Sequence, residues 1–132
     1  MIVFDAEPLI AYYGDEPGSD RVESRIRAVE GGERTGAVNT VTCTEVHYVV
    51  SRDDPDRADA YLSRIRNWFR VIDAETVWRD ASLFKRRHGC ALGDAFTLAT
   101  AHDRDGTAFV GVDDDFDAVT DVAVERFRTD PG

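Results

Sequence analysis

Short apolar runs alternate with longer amphipathic segments along this chain, a rhythm that restricts it to an α/β domain built on a parallel sheet. Ile2-Val3-Phe4 is an unbroken apolar run of strand length, suited to a central strand covered on both faces. Residues 37–41 and 69–72 predict the second and third strands and 107–112 the fourth. Residues 122–127 alternate in polarity and predict a fifth strand at an edge. Between the strands the helical period predicts six helices. The first covers 8–13 with Pro8 in its opening turn, and the second covers about 20–30 with Ser19 as N-cap. The third opens at Thr42, the fourth at Asp53-Asp54-Pro55, the fifth covers about 75–88, and the sixth runs from Asp94 to about His102. No repeat, low-complexity tract or Pro/Gly-rich linker divides the 132 residues, so one domain over 1–132 is expected.

Most of the acidic residues need no explanation beyond solvation. Four stand where solvation explains little. Asp5 ends the first strand directly after its apolar run, and in open parallel sheets ligands bind outside the carboxyl ends of the strands. Its plain structural role would be a turn carboxylate or a helix cap. Asp113 ends the fourth strand in the same way, ahead of Asp114 and Asp115, which read as a solvated turn. Asp94 opens an otherwise apolar helix, where it serves equally as an N-cap. Glu45 follows Thr42 at capping-box spacing, which accounts for it without any function.

Topology changes that weighing. Right-handed crossovers start each helix at the edge where the preceding strand ends, so these four acids meet on one rim. Crowded carboxylates raise one another's pKa and destabilise the fold unless a cation neutralises them. Hard oxygen donors, with no cysteine or paired histidine, favour Mg²⁺ or Mn²⁺ over Zn²⁺. Such an ion lowers the pKa of bound water and stabilises charge on a phosphoryl oxygen, which points to phosphodiester hydrolysis.

The opening Val-Phe-Asp5-Ala-x-x-Leu-Ile-Ala, the mid-chain Glu45, Leu-Gly-Asp94-Ala-Phe-x-Leu-Ala-x-Ala and the late Val-x-Val-Asp113-x-x-Phe116 resemble the four acidic motifs of PIN-domain ribonucleases. Their order spans essentially the whole chain, whose length is similar to that of the stand-alone toxins of VapBC toxin–antitoxin pairs. The resemblance implies a three-layer α/β/α sandwich around a five-stranded parallel sheet. It also implies Mg²⁺- or Mn²⁺-dependent cleavage of RNA, a homodimer and a cognate antitoxin. Under it, Asp5, Glu45, Asp94 and Asp113 are both the catalytic acids and the metal ligands. Two positions depart from the family pattern. Glu7 stands where a small Ser, Thr or Asn is usual, and Gly111 replaces a common Thr or Ser. These departures recommend an alternative, a degenerate PIN scaffold that works as a binding or regulatory module. Phosphotransfer folds fit less well. Dehalogenase-like enzymes want Asp-x-Asp at the first strand, where this chain has Glu7, and receiver domains want a strand-end lysine, whereas Lys85 falls in a helix.

Charge bears on the substrate. Asp and Glu total 26 against 16 basic residues, for a net charge of −10. Asp outnumbers Glu 18 to 8, and Lys85 is the single lysine beside 15 arginines, a composition resembling that of salt-accumulating halophiles. An acidic surface repels RNA at low ionic strength, but at about 1 M salt the Debye length is only about 3 Å and the objection lapses. No apolar run approaches the roughly 20 residues of a membrane span, and no export signal precedes Asp5, so a cytoplasmic protein is expected. Cys43 and Cys90 then read as idle thiols. His47, His88 and His102 form no ligand pair, Trp68 and Trp78 read as core or interface, and Lys85-Arg86-Arg87-His88 suits a helix C-terminus as well as a phosphate contact.

Overall fold

In the computed structural model, which describes residues 1–130, five strands form one all-parallel sheet. They are β1 (Ile2–Phe4), β2 (Gly36–Asn39), β3 (Arg70–Ile72), β4 (Thr107–Val110) and β5 (Ala123–Arg126), in the order β3-β2-β1-β4-β5. The helices are α1 (Ala6–Tyr13), α2 (Ser19–Glu30), α3 (Thr40–Ser51), α4 (Pro55–Trp68), α5 (Trp78–His88) and α6 (Leu92–Asp103). Successive residues of β1 face opposite ways, as the strand period requires, and both faces are covered. Ile2 and Phe4 pack with Leu9, Val22, Val46 and Leu62 from α1 to α4, while Val3 packs with Phe84 and Leu98 from α5 and α6. That division gives the expected three layers. Phe4 anchors the first face through edge-on contacts with Phe69 and Phe109, at 4.9 and 5.0 Å between ring centroids.

Several boundaries move, each for a local reason. Gly18, with φ +87°, precedes α2 and occupies its N-cap, so Ser19 is helical and its hydroxyl donates to Asp15 Oδ1 instead. Asn39 is both the end of β2 and the N-cap of α3, its Oδ1 accepting from Val41 N at 2.8 Å. The second strand therefore stops short of Val41, Thr42 lies buried inside the helix, and the expected Thr42–Glu45 capping box does not form. Residues 74–76 form a 3-10 turn capped by Asp73, so α5 starts only at Trp78. In α6 the N-cap is Ala91, two residues before Gly93, and Asp94 caps nothing. No helix among the described residues is long and apolar enough to cross a membrane.

Candidate metal centre

The carboxyl edge of β1 delivers Asp5 to the N-cap of α1, yet its side chain caps no backbone N–H there. Its Oδ1 accepts instead from the Thr97 hydroxyl of α6, at 2.8 Å, inside the protein. Asp94 lies one turn before Thr97, so both project from the same face of α6 towards Asp5. Gly93 lets α3 come close, because a Cβ there would collide with Glu45 Oε1. Glu45 is thus laid against the first turn of α6. Asp113 heads the turn after β4, its Oδ1 accepting from Asp115 N at 2.9 Å. Asp5, Glu45, Asp94 and Asp113 line one cleft of about 240 Å³, together with Glu7 and Glu16. All four acids singled out from the sequence share that cleft.

The tightest grouping differs from the expected quartet. Carboxylate oxygens of Asp94, Asp113 and Asp115 lie within 4.8 Å of one another. Asp5 adjoins Asp94, and Glu45 lines the same cleft beside Gly93. Asp115, expected to be a solvated turn residue, is the acid that sequence reasoning misses. Its signal is the Asp113-x-Asp115 spacing, at which the Asp113 side chain caps the Asp115 amide and the two carboxylates come close together. Asp115 Oδ2 also accepts from Ala91 N at 2.8 Å, tying the turn to the start of α6.

These acids are costly to keep in a folded protein. Burial pushes the Asp94 carboxyl up to about 10, with the negative charge of Asp5 and the neighbouring Asp115 and Asp113 adding to it. Burial likewise raises Asp5, although the Thr97 hydrogen bond draws it part of the way back. Glu45 is raised by burial and then by the charge of Asp5. Among the described residues no donor reaches the buried Asp94 Oδ2 or Glu45 Oε1. Two acceptor atoms without donors, set among further carboxylates, suit a hard divalent cation.

The PIN domain family model matches residues 2–122. The chain belongs to the PIN-domain family. No curated protein matches it in sequence, but solved structures share its fold. One is VapBC2 from Rickettsia felis bound to a DNA fragment from its promoter, 15% identical, covering 96% of this chain and 98% of that one at a TM-score of 0.72. A toxin–antitoxin complex from Klebsiella pneumoniae is 19% identical, covering 93% and 96% at a TM-score of 0.70. FitAcB from Neisseria gonorrhoeae is 20% identical, covering 94% and 96% at a TM-score of 0.62.

In this PIN domain the other groups weighed from sequence take ordinary parts. Lys85 Nζ donates to Cys90 O at 2.8 Å and Arg87 pairs with Asp121 at 2.7 Å, so half of the basic run at the end of α5 serves local structure. His47 pairs with Asp59 on the surface, and His88 stacks on Phe84. Cys43 and Cys90 are free thiols. Trp68 and Trp78 are about half exposed, at 50% and 49%, which removes a core role for either.

Proposed function

We propose that this PIN domain is a metal-dependent endoribonuclease, the toxin of a type II toxin–antitoxin pair. The observation that carries the reading is Asp94, a buried acid set against other acids, its Oδ2 without a hydrogen-bond partner among the described residues. Asp94 and Asp113 would hold Mg²⁺ or Mn²⁺ directly with Asp115, Asp5 would complete the set from the end of β1, and Glu45 would hold a water beside the first turn of α6. The bound ion would supply charge for the phosphoryl oxygens and acidify a water for in-line attack. Thr97 fixes one oxygen of Asp5 from inside the protein. The reading is supported jointly by the acid geometry, by family membership, and by neighbours of the same fold, one described as a toxin–antitoxin complex and one as VapBC2. We further propose a cognate antitoxin and a homodimeric state, which the family resemblance implies, a cytoplasmic setting, and a high-salt working solvent in keeping with the Asp-rich, Lys-poor composition.

The test uses purified protein in about 1 M KCl, where long-range repulsion of RNA is screened. A broad panel of structured RNAs is incubated with Mn²⁺, Mg²⁺ or EDTA. Cleavage that needs metal and vanishes in Asp94→Asn is expected. An intact panel with both metals refutes the nuclease and leaves the binding-module alternative.

A further inference from the structure

Glu7 and Gly111 look like two separate departures from an ordinary PIN site, but in three dimensions they are one feature. A Cβ on Gly111 would fall inside the Glu7 carboxylate, so Glu7 occupies the space that any side chain at 111 would need. From there both oxygens of Glu7 accept from the Val112 amide, at 3.3 and 3.2 Å, one residue before Asp113. Arg128, only 11% exposed, holds the same carboxylate from behind. Its Nε lies 3.3 Å from Glu7, while its two Nη atoms donate to Pro17 O and Glu16 Oε1, each at 3.0 Å. Arg126, two residues earlier on β5, donates to Gly111 O and to Asp113 O. The peptides around Asp113 are thus gripped on one side by α1, which follows Asp5, and on the other by β5. An acid already committed to an arginine and an amide is poorly placed to be a ligand itself. It is well placed to set where the ligands stand.

We infer that Glu7 is a positioning residue of the metal centre: its carboxylate takes the side-chain place of Gly111, grips the Val112 amide, and so holds Asp113 at the cleft that Asp5 and Asp94 line. The inference rests on the metal-centre reading above. It makes Glu7 and Gly111 a compensated pair rather than signs of decay. A side chain at 111 is harmful only while Glu7 is present, and Glu7 is useful only while 111 is bare.

The experiment titrates Mn²⁺ into the intact protein in about 1 M KCl by calorimetry, with melting temperatures measured alongside, using Asp94→Asn as reference. Glu7→Ser is expected to weaken Mn²⁺ binding about tenfold, the scale at which loss of a supporting partner acts on a metal site. Glu7→Gln keeps the length and an acceptor for the Val112 amide but gives up the charge facing Arg128, so it should bind Mn²⁺ less tightly than the parent and more tightly than Glu7→Ser. Gly111→Ala should lose both Mn²⁺ affinity and melting temperature, and adding Glu7→Ser to it should bring the melting temperature back to that of Glu7→Ser alone. If Gly111→Ala does not fold, recovery of a folded double variant carries the same result. Gln binding Mn²⁺ as weakly as Ser, while Arg128→Met binds it as tightly as the parent, would make Glu7 a charge-donating ligand and overturn the inference. So would unchanged Mn²⁺ affinity in Glu7→Ser while Asp94→Asn abolishes binding, an outcome that leaves the nuclease reading standing. Absence of any Asp94-dependent Mn²⁺ binding in the parent overturns both.

Discussion

Replacing Asp94 by asparagine should make the metal-free protein more stable, and by an amount that grows with pH. An unperturbed aspartate titrates near 3.8, whereas burial and the surrounding acids push Asp94 up to about 10. Between those two values the folded state holds a proton that the unfolded chain has released. Stability therefore falls as pH rises through that window and is flat below it. At pH 7.5 the retained proton costs about 5 kcal/mol, at about 1.36 kcal/mol for each pH unit above the unfolded value, and this sum holds for any folded pKa above 7.5. Water entering the cleft and adjustment of Asp5 screen that figure by half or more, leaving about 2 kcal/mol. The amide introduced by Asp94→Asn mimics the protonated acid without needing the proton, so the variant escapes that cost. For a domain of this size, about 2 kcal/mol corresponds to roughly 6–8 °C in melting temperature.

The assay is thermal melting in EDTA at pH 5.0, 6.5 and 8.0, repeated with Mn²⁺. Without metal, Asp94→Asn should melt above the parent at pH 8.0, with the gap shrinking towards pH 5.0. With Mn²⁺ the order should reverse, because a ligand at about 100 times its Kd stabilises only the binder, by about 2.7 kcal/mol. A variant that melts below the parent in EDTA, or a gap that ignores pH, would refute the claim that burial and the neighbouring acids hold Asp94 protonated.

Three further expectations follow from other parts of the site. Asn39→Ala should lose about 2–3 kcal/mol in chemical denaturation, since Asn39 caps the helix bearing Glu45 and its amide donates to the Thr100 hydroxyl in the core at 3.1 Å; a loss under about 0.5 kcal/mol would deny that this junction is structural. Thr97→Val removes the donor on Asp5 Oδ1 with little change of shape, so Asp5 should hold its proton to higher pH and the pH at which Mn²⁺ binds half-maximally should move upward. An unmoved titration would mean that Thr97 does not tune Asp5. With a net charge of −10, melting temperature in EDTA should climb by several degrees between about 0.1 and 1 M KCl as the Debye length drops from about 10 to 3 Å. A flat salt response would show that the acidic excess does not strain the fold.

The layers, the parallel sheet and the strand-end acids are legible in the sequence because each depends on local pattern. The apolar run ending in Asp5 says where β1 stops; β4 stops at Val110, two residues short of the expected end, and Asp113 follows in the turn beyond it. Glu45 is legible only as company for the others, and the structure dissolves the competing account of it: Asn39 takes the cap and leaves Thr42 buried. Asp115 is faintly legible at best, because an Asp-x-Asp spacing inside an acidic run reads as solvation until the Asp113 cap on the Asp115 amide is seen. Glu7 escapes for a deeper reason. Its partners, the Val112 amide and Arg128, lie 105 and 121 residues away along the chain. No period or motif encodes a contact of that range, so an acid that fills a glycine's place looks like an acid out of place.

That distance also says what kind of object this centre is. Asp5 comes from the end of β1, Glu45 from α3, Asp94 from α6 and Asp113 from the turn after β4. The arginines that steady Asp113 and Glu7 come from β5 and the residues just after it. The strand that holds the site together is an edge strand, paired with β4 alone and partly open to solvent. Edge elements open locally more readily than a buried centre such as β1. The acids repel one another in the metal-free protein, and the clamp that keeps them together is a strand at the margin of the sheet. A cation that relieved this crowding would therefore stabilise β5 as well, although the acids that would hold it lie outside that strand.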